Sequence, residues 1–197
     1  MYYASHVPAI AEGMRSDPAI FARGILFAVL SMRQPFVTVP DQMLDVIGPE
    51  GIGLSSTNLF GFKRDAWRYT LEHVDELHAD TLAASSTADQ IKVLCRIPGV
   101  GIVKAGFVLQ LMGYDIGCLD TRNVKREGLN PRKYRTDGRK GTPRVERLIH
   151  EYVSEVGGRA SELWDLWCED VAATYKMTPW DVSALHLTVL PDSLIPF

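Results

Sequence analysis

Apolar positions along the chain recur at helical rather than alternating spacing. The clearest run, PAIFARGILFAVLSM (18–32), is apolar on nearly every face, as a central helix would be. Asp17 before Pro18 supplies an N-cap and a first-turn proline, and Gln34-Pro35 ends the run. A shorter helix is expected near Thr38 to Ile47, and GIGLSSTN (51–58) reads as a loop. Phe62, Ala66, Tyr69, Val74 and Leu77 follow roughly helical spacing, so one helix is expected from Phe62 to Leu77, starting by Gly61. Ser86 and Thr87 can cap the next, which runs through Ile97. Pro98-Gly99-Val100-Gly101 breaks it, and a further helix from Ile102 to Met112 ends at Gly113. Leu119 to Lys125 opens another, followed by Pro143 to Val156, Ala160 to Tyr175 and Pro179 to Leu190. Strand patterns are scarce and no internal repeat occurs. The expected fold class is all-α.

Composition narrows the class. Apolar residues make up 46% of the 197 residues and charged residues 23%, which suits a folded globular chain and excludes a disordered one. The length fits one domain, or one domain of two lobes sharing a cleft. The longest apolar stretch, Ile25 to Met32, is eight residues, far short of the roughly 18–20 that a membrane span requires. No signal-peptide pattern opens the chain, and Cys95, Cys118 and Cys168 are odd in number and widely spaced. Free thiols in the cytoplasm are the expectation, with no membrane partner. No C-x-x-C occurs, and the histidines (6, 73, 78, 150 and 186) lack ligand spacing, so neither a metal nor a cofactor is expected.

Charge changes the picture. The net charge is −3, yet Arg122 to Arg147 holds ten basic residues against three acids, leaving the remainder with 11 against 21. A basic stripe on an acidic body aims at a polyanion. A solvated basic loop is the plainer alternative. Gly, Pro and Asn in the stretch argue against an amphipathic membrane-surface helix.

The turn at 98–101 adds chemistry. Glycines 99 and 101 permit positive φ and close backbone approach, and the helix that follows would present free amides to a phosphate. A plain turn between two helices also fits P-G-V-G. The longer stretch RIPGVGIVKAGFVLQLMGYDIGCLDTRNV (96–124) resembles the signature of the helix–hairpin–helix–GPD superfamily, best known as DNA glycosylases. Pro98, Gly99, Val100, Gly101 and Ala105 match its L-P-G-V-G-x-K-T-A part, and Leu119, Asp120 and Thr121 match its V-D-T-H-V part. LFAVLSMRQPF (26–36) resembles the early helix of that family, and NLFGFKRDAW (58–67) its G-x-x-x-x-K-A region.

The resemblance implies a two-lobed helix–hairpin–helix glycosylase-like fold. Residues 18–118 would form the lobe carrying the hairpin, and 1–17 with 119–197 the second. The partner would be DNA, gripped by its backbone and opened by flipping a nucleotide into a pocket. Asp120 would be the catalytic carboxylate, although an Asp before Thr-Arg-Asn-Val is also a good N-cap, and it can be both. Pro98, Gly99, Val100, Gly101 and Lys104 would anchor phosphate, with Arg122, Lys125 and Arg126 extending the grip. Arg33 and Gln34 are the wedge candidates. Tyr134 is the best candidate to stack on a base, while Trp164 and Trp167 are expected in the core.

Departures from the pattern bear on the reaction. DNA-nicking glycosylases carry a lysine two residues after the second hairpin glycine, where this chain has Val103. Lys104, one residue on, is turned by about 100°, which disfavours a Schiff-base lyase. Arg122 replaces the usual His, and the four-cysteine cluster of many relatives is missing. G-Y-D-I-G-C-L-D-T-R-N (113–123) and W-D-L-W-C (164–168) resemble a phage branch associated with thymidine hypermodification, the α-glutamyl/putrescinyl thymine pyrophosphorylase-like proteins. That resemblance implies an amino acid:DNA transferase. A small amino acid such as glycine would displace pyrophosphate from 5-pyrophosphoryloxymethyl-uracil, with Asp120 as base and Arg122 or Arg126 balancing the leaving group. The compartment would be the cytoplasm, that of the host cell if the chain is phage-encoded. The alternatives are a monofunctional DNA N-glycosylase of base excision repair and a non-catalytic DNA-binding module.

Overall fold

The computed structural model describes residues 2–47, 59, 61–136 and 140–176. Within them the chain is all-α, its only β-type pairing an isolated antiparallel bridge between Ile116 and Gly157. The helices are α1 (Tyr2–Ser16), α2 (Pro18–Leu30), α3 (Val39–Ile47), α4 (Phe62–Glu72), α5 (Val74–Ala83), α6 (Thr87–Leu94), α7 (Ile102–Leu111), α8 (Thr121–Arg126), α9 (Pro143–Val156) and α10 (Ala160–Tyr175), with a 3₁₀ turn at Phe36–Thr38. The expected loop at 51–58 and the expected helix from Pro179 to Leu190 lie outside the described residues. No described helix is long and apolar enough to cross a membrane.

Helix α2 is the central rod. The Asp17 carboxylate accepts from Ala19 N at 2.7 Å, and every residue from Phe21 to Leu30 is buried. Helices α1, α3, α4, α5 and α7 pack against it. A Cβ on Gly24 would lie 2.3 Å from Met14 Cε, so the bare glycine sets how closely α1 approaches α2. One continuous apolar cluster runs from α1 to α10.

One helix goes unannounced by the sequence pattern, and two expectations need correction. Residues 2–16 form a helix that the apolar pattern hides, because Pro8 lies inside it and polar residues interrupt its buried face of His6, Val7, Ile10, Ala11 and Met14. Tyr2 and Tyr3 open it. The single helix expected over 62–77 is two, parted at His73, whose backbone leaves the helical region (φ −130°, ψ 18°) while its ring stacks on Tyr69 at 4.2 Å. The five-residue step from Tyr69 to Val74, where helical spacing allows three or four, is the trace of that break. Helix α6 ends at Leu94, and Cys95 to Ile97 tighten into a turn ahead of Pro98, with Arg96 N bonding Val93 O and Ile97 N bonding Leu94 O.

Candidate active site

Asp120 owes its position to the extended segment before it. Gly117 N donates to Val156 O at 3.0 Å, and the bridge between Ile116 and Gly157 holds the same stretch against the end of α9. The Tyr152 hydroxyl donates to Gly117 O at 2.8 Å and accepts from Leu119 N at 3.5 Å. Burial raises that phenol well above its ordinary range, so it stays a protonated donor. Gly106 makes room for it, since a Cβ there would sit 2.6 Å from the hydroxyl. Buried Asn123 donates its amide to Cys118 O (2.8 Å) and Leu163 O (3.2 Å), tying α8 and α10 to the same segment.

The Asp120 carboxylate then caps α8. Its Oδ1 accepts from Arg122 N (3.0 Å) and Asn123 N (2.8 Å). Oδ2 lies 4.0 Å from Arg122 Nη1, and the side chain remains 17% exposed. One oxygen thus serves the helix, the other lies toward Arg122, and the residue lines a cleft. Asp120 is the only carboxylate among the described residues lining that cleft. Its aromatic wall is Phe107, Trp164 and Trp167, with Phe107 stacked on Trp164 at 6.2 Å and 20°. Both tryptophans are core residues, as expected, and they also line the cleft. Gln110 faces it with an amide whose orientation is set by donation from Nε2 to Ala160 O at 2.7 Å. Gln34, Ser31, Lys104, Arg122 and Asn123 also line it.

The three cysteines are poor candidates for a nucleophile. Burial pushes Cys118, which lines the cleft, up to about 12, and Cys95 and Cys168 likewise. Among the described residues no three His, Cys, Asp or Glu side chains gather to hold a metal ion.

The hairpin at 98–101 joins α6 to α7 as a tight turn. Gly99 takes φ +78°, and a Cβ there would lie 2.8 Å from Phe62 Cδ2. Gly101 takes φ −104°, which any residue adopts, and a Cβ there would meet nothing within 4 Å. Gly99, Val100 and Gly101 border a second pocket of about 360 Å³, into which Lys92, Arg96 and Lys140 also reach.

The other expected site residues fall in different places. Lys104 turns toward the cleft, its ammonium 2.9 Å from Ser31 Oγ and 4.9 Å from the centre of the Phe107 ring. Gln34 faces the cleft, whereas Arg33 is exposed, with φ +58° and its guanidinium 5.5 Å above Phe62. Lys125 is exposed on α8. Arg126 is engaged with Asp170 at 2.9 Å. Tyr134 is no free stacking platform: it is buried, packs edge-on against Tyr152 at 5.0 Å, and bonds Glu155 through its hydroxyl. Lys63, which lies in the 58–67 stretch but is not among the expected site residues, joins the site. Its ammonium donates to Leu30 O (3.0 Å) and to Gln34 Oε1 (2.5 Å), placing it beside the cleft. No family model, curated protein or solved structure matches the chain.

Proposed function

We propose that the protein is a DNA-base-modifying enzyme that takes an extruded thymine-derived pyrimidine into the Asp120 cleft and transfers an amino acid onto it. The observation that carries the reading is a lone, partly exposed carboxylate lining one cleft together with an aromatic wall and two cations, Lys104 and Arg122. A flipped base needs such a wall to stack on and amides such as Gln110 to read its edge. The cleft draws Ser31, Gln34, Lys104, Phe107 and Gln110 from residues 18–118, and Asp120, Arg122, Asn123 and the two tryptophans from 119–197. That split supports two lobes meeting at the site. The free volume is about 60 Å³, well below that of ordinary small-molecule sites. A base therefore enters only as half-buried lining side chains such as Arg122 move aside.

In the proposed reaction the amine of a small amino acid such as glycine attacks the 5-methylene carbon of 5-pyrophosphoryloxymethyl-uracil. A C–N bond forms, the C–O bond breaks, and pyrophosphate leaves with the bonding pair. Asp120 takes the proton lost by the incoming ammonium through the oxygen not spent on the cap. The test is incubation with duplex DNA carrying the pyrophosphorylated base, with and without glycine. Pyrophosphate release that requires the amino acid supports the transferase. Free base and an abasic site would make the protein a monofunctional glycosylase instead, and binding without any product would leave a DNA-binding module.

A further inference from the structure

Two lysines converge on one end of α2 from the starts of two other helices. Lys63 stands in the first turn of α4 and Lys104 in the first turn of α7. A cation there opposes the helix dipole, which favours anions at an N-terminus. Both ammonium groups instead reach the C-terminal end of α2 and the turn beyond it. Lys63 bonds Leu30 O and Gln34 Oε1, and Lys104 bonds Ser31 Oγ. Among the described residues neither forms an ion pair with a carboxylate.

One lysine would suffice to satisfy the α2 terminus. The second adds repulsion: burial, and then the charge of Lys104, hold the Lys63 ammonium below its ordinary range. Ser31, Gln34 and Lys104 line the same cleft as Asp120 and Arg122. Lys104 and Arg122 line that cleft and Lys63 stands beside it on the Gln34 amide, so three cations neighbour the one lining carboxylate, an excess that a singly charged phosphodiester does not balance and a diphosphoryl group does.

We propose that the Lys63–Lys104 pair binds a multiply charged phosphoryl group carried by the substrate. Its attachment to the extruded base rests on the function proposed above, where it becomes the leaving group. The charge excess itself is independent of that function. The lysines form no covalent bond. They hold the pyrophosphate that departs with the C–O bonding pair, a role for which Arg126 is already engaged elsewhere.

Titration calorimetry of the full chain with inorganic pyrophosphate tests this, with inorganic phosphate as the control. Pyrophosphate should bind at least about tenfold more tightly than phosphate, and Lys63→Met and Lys104→Met should each weaken it at least about tenfold. Asp120→Asn should leave it as tight or tighter. Lys63→Arg and Lys104→Arg, which keep the charge, should bind within a few-fold of the parent and so separate charge loss from misfolding. Unchanged binding in both methionine variants overturns the proposal, as does equal affinity for phosphate. The two proposals fail separately. Lysine-dependent pyrophosphate binding without amino-acid-dependent release from modified DNA leaves the anion site and removes the transferase. Release that both methionine variants sustain at parental rate leaves the transferase and removes the anion site.

Discussion

At the scale of single residues, Asp120 spends one oxygen on the α8 cap and turns the other toward Arg122, both residues lining the cleft. Asparagine caps as well as aspartate, so Asp120→Asn should keep the α8 cap while removing the charge. Asp120→Ala should lose both, at about 1 kcal/mol of stability, read by chemical denaturation. The residue that positions Asp120 is Tyr152. Phenylalanine there would leave the buried Gly117 carbonyl without its donor, at a cost of about 1–3 kcal/mol. Thermal unfolding of Tyr152→Phe should show that loss, and an unchanged midpoint would mean that the 117–119 segment is held by other contacts. The sequence points to Asp120 only through its resemblance to a family pattern in which a D-T pair follows a P-G-V-G turn. Tyr152 and Lys63 are not legible there, since their partners lie 35 and 33 residues away in the chain and no local pattern joins them.

At the scale of elements, the strongly patterned helices are legible almost to the residue. Pro143–Val156 has the expected bounds because the Thr142 cap, Gly157 and helical spacing agree there, and Ala160–Tyr175 because its helical spacing resumes just past Gly157 and Gly158, without a side-chain cap. Helix α1 is hidden by Pro8, and the break at His73 by an apolar pattern that continues in only slightly altered step. The hairpin glycines, paired in the sequence, differ in the structure. Gly99→Ala would force an alanine to φ +78° and into the Phe62 ring, so it should destabilise by more than about 1 kcal/mol. Gly101→Ala meets open space at an ordinary φ and should stay within about 0.5 kcal/mol of the parent. If the hairpin grips a DNA backbone, Gly101→Ala should nonetheless weaken DNA binding, measured by fluorescence anisotropy. Parental affinity in a folded Gly101→Ala protein would place the DNA elsewhere.

At the scale of the whole molecule, the excess of basic residues over 122–147 is smaller in space than in sequence. Glu155 pairs with Lys133, Asp170 with Arg126 and Glu151 with Arg147, so acids from α9 and α10 offset part of the stripe. Counting along the chain could not show this. One of these links should respond to pH. Burial alone would raise the Glu155 carboxyl, but hydrogen bonds from Lys133 and Tyr134 outweigh it and hold the group below its usual range. Its contribution is thus present above the unfolded carboxyl value of about 4.3 and fades as pH falls through the lower folded one. Amide exchange across 129–136, corrected for intrinsic rates, should accelerate over that acid window before exchange in α7 does. Simultaneous loss in both would show that the segment is not held by Glu155.

The most direct measurement compares the parent and Asp120→Asn on the same pyrophosphorylated duplex, following glycine-dependent pyrophosphate release in a single turnover and DNA affinity in parallel. Loss of a general base should slow release by about 10²–10⁴-fold while affinity stays within a few-fold of the parent. Undiminished release by the asparagine variant would contradict a catalytic role for the carboxylate and, with it, the enzymatic account of the cleft.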